Sequence, residues 1–124
     1  LPLLSSDLVD VMDACIDGCL DKISLKWSDR KSLCVVLASE GYPGNVKDGR
    51  IISGLNTPDL DTWVVHAATE FGGQYILTSG GRVLNVVATA KNFQSAREKV
   101  YNRVNSISFD GMQYRKDIGI NADL

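Results

Sequence analysis

The 124 residues are 44% hydrophobic and 23% charged, a balance of ordinary folded domains and not of disordered or fibrous chains. A chain of this size supports one hydrophobic core, so one compact domain is expected. The formal net charge of -2 gives no overall attraction to nucleic acid or anionic lipid, no apolar run approaches the roughly 18 residues of a membrane span, and no basic leader opens the chain. These features predict a soluble, cytoplasmic protein without nucleic-acid or membrane partners, in which any anion site is a local basic cluster. Cys15, Cys19 and Cys34 are an odd count in apolar surroundings, which predicts free, buried thiols in a reduced compartment.

Leu8, Met12, Cys15, Ile16 and Cys19 recur at spacings of three and four behind the N-cap candidates Ser5 and Ser6, predicting an amphipathic helix over 6–20. Asp7, Asp10, Asp13 and Asp17 share its other side and read as a solvated face, because a metal site needs oxygens converging from several elements. The helix reads as one entered from something before it, so the chain is expected to be a fragment. Ile23, Leu25 and Trp27 alternate in the strand period, and the run 32–39 reads as a buried strand that stops at Gly41-Tyr42-Pro43-Gly44. A short strand is expected over 51–55, then strands over 63–69, 74–78 and 82–90 joined by Gly-containing loops in an antiparallel meander. Asn92 caps a helix over 92–107 whose stripe of Phe93, Ala96, Val100, Val104 and Ile107 must pack on the sheet, with Arg97, Glu98, Lys99 and Arg103 on its other sides. The class expected is α+β: a small antiparallel sheet packed by amphipathic helices.

Three cysteines and His66 match no compact zinc spacing, and Ser79 with His66 lacks both a nucleophile elbow and an acidic partner. His66, inside an apolar strand, reads as a core histidine. Ser79-Gly80-Gly81 has the residues to present backbone N–H groups to an anion, with Arg82 directly after to add a charge; the same loop also serves simply to turn the chain. Arg115 and Lys116 supply adjacent cations beside Asp117 and read equally as a phosphate site or as a solvated pair.

Four strings, VVLASEGYPG (35–44), VVHAAT (64–69), TSGGRVLNVVA (78–88) and FDGMQYRKDIG (109–119), together resemble the C-terminal domain of the phosphoribosylamine-glycine ligase family, in order and at similar spacing. Ala68 stands where that family commonly has Gly. The resemblance implies a division into a helical lead-in over 1–28, leaving an ATP-grasp domain, and a C-terminal domain over 29–124. It implies an enzyme of purine biosynthesis that uses ATP, with magnesium or manganese, to join glycine to 5-phosphoribosylamine; the metal and nucleotide sites lie in preceding ATP-grasp domains. This segment by itself is then inactive and binds neither cofactor. The resemblance further implies that Ser79, Gly80, Gly81, Arg82, Arg115 and Lys116 face the phosphorylated sugar. Two other readings are an anion-binding or regulatory module without catalysis, and the equivalent domain of another ATP-grasp ligase or carboxylase.

Overall fold

The computed structural model describes residues 1–56 and 59–122. The first helix, α1, spans Leu8–Ile16, shorter at both ends than its periodicity predicts. Asp7 is the cap: its carboxylate accepts from Val9 N at 2.8 Å, satisfying an otherwise orphaned helix amide. Ser6 instead accepts from Lys26 N at 2.8 Å, and Leu4 bridges Trp27, so the lead-in folds back on itself. The helix stops early because Gly18 takes a left-handed φ of 64°, the usual glycine exit. A single 3-10 turn at Leu20–Lys22 follows, and the strand period around Ile23 to Trp27 yields only the one bridge. The apolar stripe of α1 does not pack on the sheet, since Leu8, Met12 and Ile16 are all exposed.

The strands are β1 (Lys31–Ala38), β2 (Thr62–His66), β3 (Thr69–Gly72), β4 (Tyr75–Thr78) and β5 (Arg82–Ala90), and the second helix, α2, is Phe93–Asn105. They do not form the expected meander. β5 lies between β1 and β2 in a three-stranded antiparallel sheet, while β3 and β4 form a separate two-stranded ribbon. The predicted 63–69 strand breaks because Thr69 N turns back onto Ala67 O at 3.0 Å, and no Gly or Pro at Ala67-Ala68 announces the break. Residues 51–55 contribute only the isolated bridges Ile51 to Leu77 and Ser53 to Ser108.

The core follows from the two periodicities. Strand alternation puts Val35 and Leu37 of β1 and Leu84, Val86 and Ala88 of β5 on one face, all buried. Ala96, Val100 and Val104 of α2, also buried, recur at helical spacing and cover that face. Asn92 caps α2 by accepting from Ser95 N at 2.8 Å. Arg103, placed on the solvent side by helical counting, is only 6% exposed. Its guanidinium donates to Gly54 O at 3.0 Å, Leu55 O at 2.8 Å and Ser106 Oγ at 2.8 Å, because the 54–55 loop folds over the end of the helix and its carbonyls need donors.

One end of the sheet is clasped by Asp61. Its carboxylate takes Arg30 Nη2 at 2.7 Å and Lys99 Nζ, joining the approach to β1, the start of β2, and α2. These bonds, Lys99 first and Arg30 second, hold the Asp61 carboxyl below its ordinary 3.8. A carboxylate depressed in this way contributes stability that is fully present above the unfolded value and is lost as pH falls through the folded one. Asp61→Asn should therefore lower the thermal midpoint at pH 7, with the gap to the parent closing below about pH 4. Parallel melts at neutral and acid pH check this, and a gap independent of pH would contradict it.

Candidate functional site

The sheet face away from α2 is open. Alternation places Cys34 and Val36 of β1, Trp63 and Val65 of β2, and Asn85 of β5 there. Against one end of this face lie two adjoining cavities of about 450 and 670 Å³. Both are lined by Val36, Tyr42 and Arg82; the first adds Ala38, Gln113, Tyr114 and Arg115, the second Ala67, Ala68, Gly81 and Asn85.

Arg82 reaches this groove through an irregularity in β5. Simple alternation from Leu84 would send Arg82 to the α2 face. The register shifts between Leu37 and Ala38, so that Ala38 pairs with Arg82 and not with Val83. The extra residue, Val83, is fully buried and Arg82 emerges exposed, which is how a bulge re-aims a side chain.

Of the residues singled out in the sequence, the structure brings Gly81, Arg82 and Arg115 to the groove. Ser79, Gly80 and Lys116 do not line it. Ser79 N is spent on Ala68 O at 2.9 Å, whereas the Gly80 and Gly81 amides find no acceptor among the described residues. The carbonyls of those glycines point the other way: Gly81 O accepts from Ser39 N at 2.8 Å and Gly80 O from Ser39 Oγ at 2.7 Å. Ser39, buried at the end of β1, thus pins the turn. Gln113 Nε2 ties the rim by donating to Ser39 O and Tyr42 O, both at 3.0 Å.

The two arginines differ in state. Among the described residues Arg82 pairs with no carboxylate. Arg115 is gripped by Asp117, with Nε to Oδ1 at 2.9 Å and a second bond from Nη2 to Oδ2. This fork-to-carboxylate contact holds Asp117 below the usual carboxylate range and pushes the Arg115 guanidinium up. Both side chains stay largely exposed, so the pair is a weak latch open to exchange with a competing anion.

His66 is exposed and not a core histidine; its Nδ1 lies 3.0 Å from Thr69 Oγ1. It borders a separate cavity of about 310 Å³ with Thr62 and Arg103. The thiols are free, but Cys15 and Cys34 are exposed and Cys19 is half-buried. Burial fails because α1 does not dock on the sheet and because Cys34 has the open-face parity of β1. Among the described residues no group of three or more His, Cys, Asp or Glu is placed to hold a metal ion, and no helix is long and apolar enough to cross a membrane.

Sequence reasoning missed Tyr42, Gln113 and Asn85. Asn85 carried a signal, as the one amide in the apolar run RVLNVVATA. Tyr42 carried another, since it sits inside a Gly-Tyr-Pro-Gly turn. Nothing local marks Gln113, whose role comes from chain ends meeting in space.

Residues 32–121 match the family described as phosphoribosylglycinamide synthetase, C domain. The chain belongs to that family. It is 44% identical over 118 residues to the phosphoribosylamine-glycine ligase of Caldanaerobacter subterraneus, covering 95% of this chain and 28% of that protein. The ligase of the same name from Neisseria meningitidis serogroup B is 47% identical over 120 residues, with 96% and 28% covered. A bifunctional purine biosynthetic protein of Dictyostelium discoideum is 42% identical over 125 residues, 98% of this chain and 15% of that one. The crystal structure of a phosphoribosylamine-glycine ligase from Thermotoga maritima is similar in fold, with a TM-score of 0.62 and 31% identity over 69% of this chain and 21% of that one. The chain therefore spans about 28% of the length of the two single-function ligases it matches.

Gly81 is the position where the groove tolerates no side chain. A Cβ there would stand 2.4 Å from Tyr42 Cδ2, so the Tyr42 ring lies directly on the turn. Gly81→Ala should force that ring aside and cost about 1–3 kcal/mol. Urea unfolding would show a lowered midpoint with an unchanged slope, together with shifted Tyr42 ring resonances; an unchanged midpoint and ring environment would contradict the contact.

Proposed function

We propose that this chain is the C-terminal part of an ATP-dependent ligase that joins glycine to 5-phosphoribosylamine, giving glycinamide ribonucleotide, ADP and phosphate in purine biosynthesis in the cytoplasm. On this reading residues 1–28 lead out of an ATP-grasp domain, and 29–124 form the domain that walls the cleft. The observation that carries the reading is that Arg82 and Arg115, far apart in sequence, line one cavity in a chain of this family.

In the ligase reaction, ATP phosphorylates the glycine carboxylate, turning a poor electrophile into an acyl donor that the sugar amine attacks; ADP and then phosphate leave. The substrate and the product share a 5-phosphate, and the groove supplies what a phosphate needs. Arg115 offers a planar fork of donors, Arg82 a second cation, and the Gly81 amide a further donor at the turn, which Gly80 helps to form from outside the groove. Tyr42, Gly81 and Val36 shape the wall on which the sugar lies. Ser79 acts by setting the turn. Lys116 contributes charge from outside the groove and is the weakest of the six. On this reading the metal and ATP are held by the preceding domains, and this segment alone has no ligase activity, because one wall cannot align three substrates.

A phosphate-bound arginine contributes about 1.5–3 kcal/mol, so Arg115→Ala in the full-length ligase should weaken glycinamide ribonucleotide binding by roughly 10- to 150-fold. ATP and glycine affinities should hold. Arg115→Lys should recover part of the loss, since a point charge does not reproduce the fork. Calorimetry with the stable product measures this, and circular dichroism verifies folding. A folded Arg115→Ala enzyme that binds product like the parent would leave Arg115 as a solvated cation paired with Asp117.

A further inference from the structure

Two side chains of α2 reach across to the segment that carries Arg115. Tyr101 Oη donates to Arg115 O at 2.7 Å and accepts from Ile118 N at 3.1 Å. One turn earlier, Arg97 donates through Nη2 to Lys116 O at 2.6 Å and through Nε to Ile118 O at 3.2 Å. The two are coupled, for the Arg97 guanidinium lies over the Tyr101 ring, 4.8 Å from its centroid. Tyr114 flanks the same ring at 6.3 Å between centroids.

Residues 114–118 belong to no strand or helix, so their backbone polar groups must find partners elsewhere. Three carbonyls and one amide of this stretch end on just two side chains, four apart on one helix face. The side chain of Arg115 is then gripped by Asp117. Its main chain and its head group are thus held separately, the first by the helix and the second by an exposed carboxylate that a ligand can replace.

We infer that Tyr101 and Arg97 are positioning residues for Arg115, fixing the backbone from which its guanidinium enters the groove. The inference rests on the phosphate role proposed for Arg115 above. A long side chain binds only as well as its anchor is fixed, and binding constellations tolerate roughly 0.5 Å of error. Tyr101 and Arg97 lie outside the groove lining, so their influence on ligand binding passes through residues 115–118.

The test is a double-mutant cycle in the full-length ligase, read by calorimetry with glycinamide ribonucleotide. Tyr101→Phe keeps the ring and its stacking and removes only the two hydrogen bonds. It should weaken product binding by roughly 3- to 10-fold, leave ATP binding unchanged, and add nothing to the loss caused by Arg115→Ala. Arg97→Lys, which keeps the charge and loses the fork, should behave in the same way and serves if Tyr101→Phe folds poorly. Parent-like binding by both folded variants, or losses that add to that of Arg115→Ala, would overturn the inference and mark the contacts as structural. If Arg115→Ala itself binds product like the parent, the phosphate role fails and the inference falls with it. If Arg115→Ala weakens binding and neither Tyr101→Phe nor Arg97→Lys does, only the positioning role is overturned.

Discussion

Strand β5 is hydrogen-bonded along both edges, to β1 and to β2, and its inner face is sealed by α2. Everything that forms the groove hangs from this arrangement. The strand is built for it: Leu84, Val86 and Ala88 are fully buried on the helix side, the alternation that an antiparallel strand with one packed face requires. Its irregular first residues then turn Arg82 outward, while the β1 end delivers Ser39 to the preceding glycine turn. A shift of β5 by one residue would exchange its two faces, so the arginine's place depends on the sheet register.

The second half of the groove arrives from the chain's end. After α2, residues 113–115 come back to β1, where Ala38 and Gln113 exchange backbone hydrogen bonds at 2.8 and 2.9 Å. That bridge brings Arg115 to the cavity that Arg82 also lines. The groove is therefore a product of two closures, one in the sheet and one at the β1 edge, with α2 tied to both through its apolar stripe and through Tyr101.

The legible parts of the fold were those with strong periodicity. β1, β5 and α2 appear within a residue or two of their predicted spans, because apolar runs and helical stripes report directly on burial. Arg103 was misread because its partners, Gly54 O and Leu55 O, are far away in sequence. The meander failed at Ala67-Ala68, where a tertiary choice, pairing β2 with β5, overrode sequence order. The apolar stripe predicted for α1 is left exposed at Leu8, Met12 and Ile16; periodicity shows which side of a helix is apolar and says nothing about what covers it. For the groove, the basic residues drew attention by their chemistry. Gln113 became visible only when the chain ends met in space, and Lys116 lost standing because its neighbour takes the place facing the cavity.

The central claim is that the groove between the Gly80-Gly81 turn and Arg115 holds the phosphate of the sugar substrate. A crystal structure of the full-length ligase with glycinamide ribonucleotide tests it most directly. The account predicts the 5-phosphate within hydrogen-bonding distance, roughly 3 Å, of the Arg115 guanidinium, with Arg82 alongside and the Asp117 contact loosened. A phosphate bound elsewhere, with Arg115 still closed on Asp117, would contradict it.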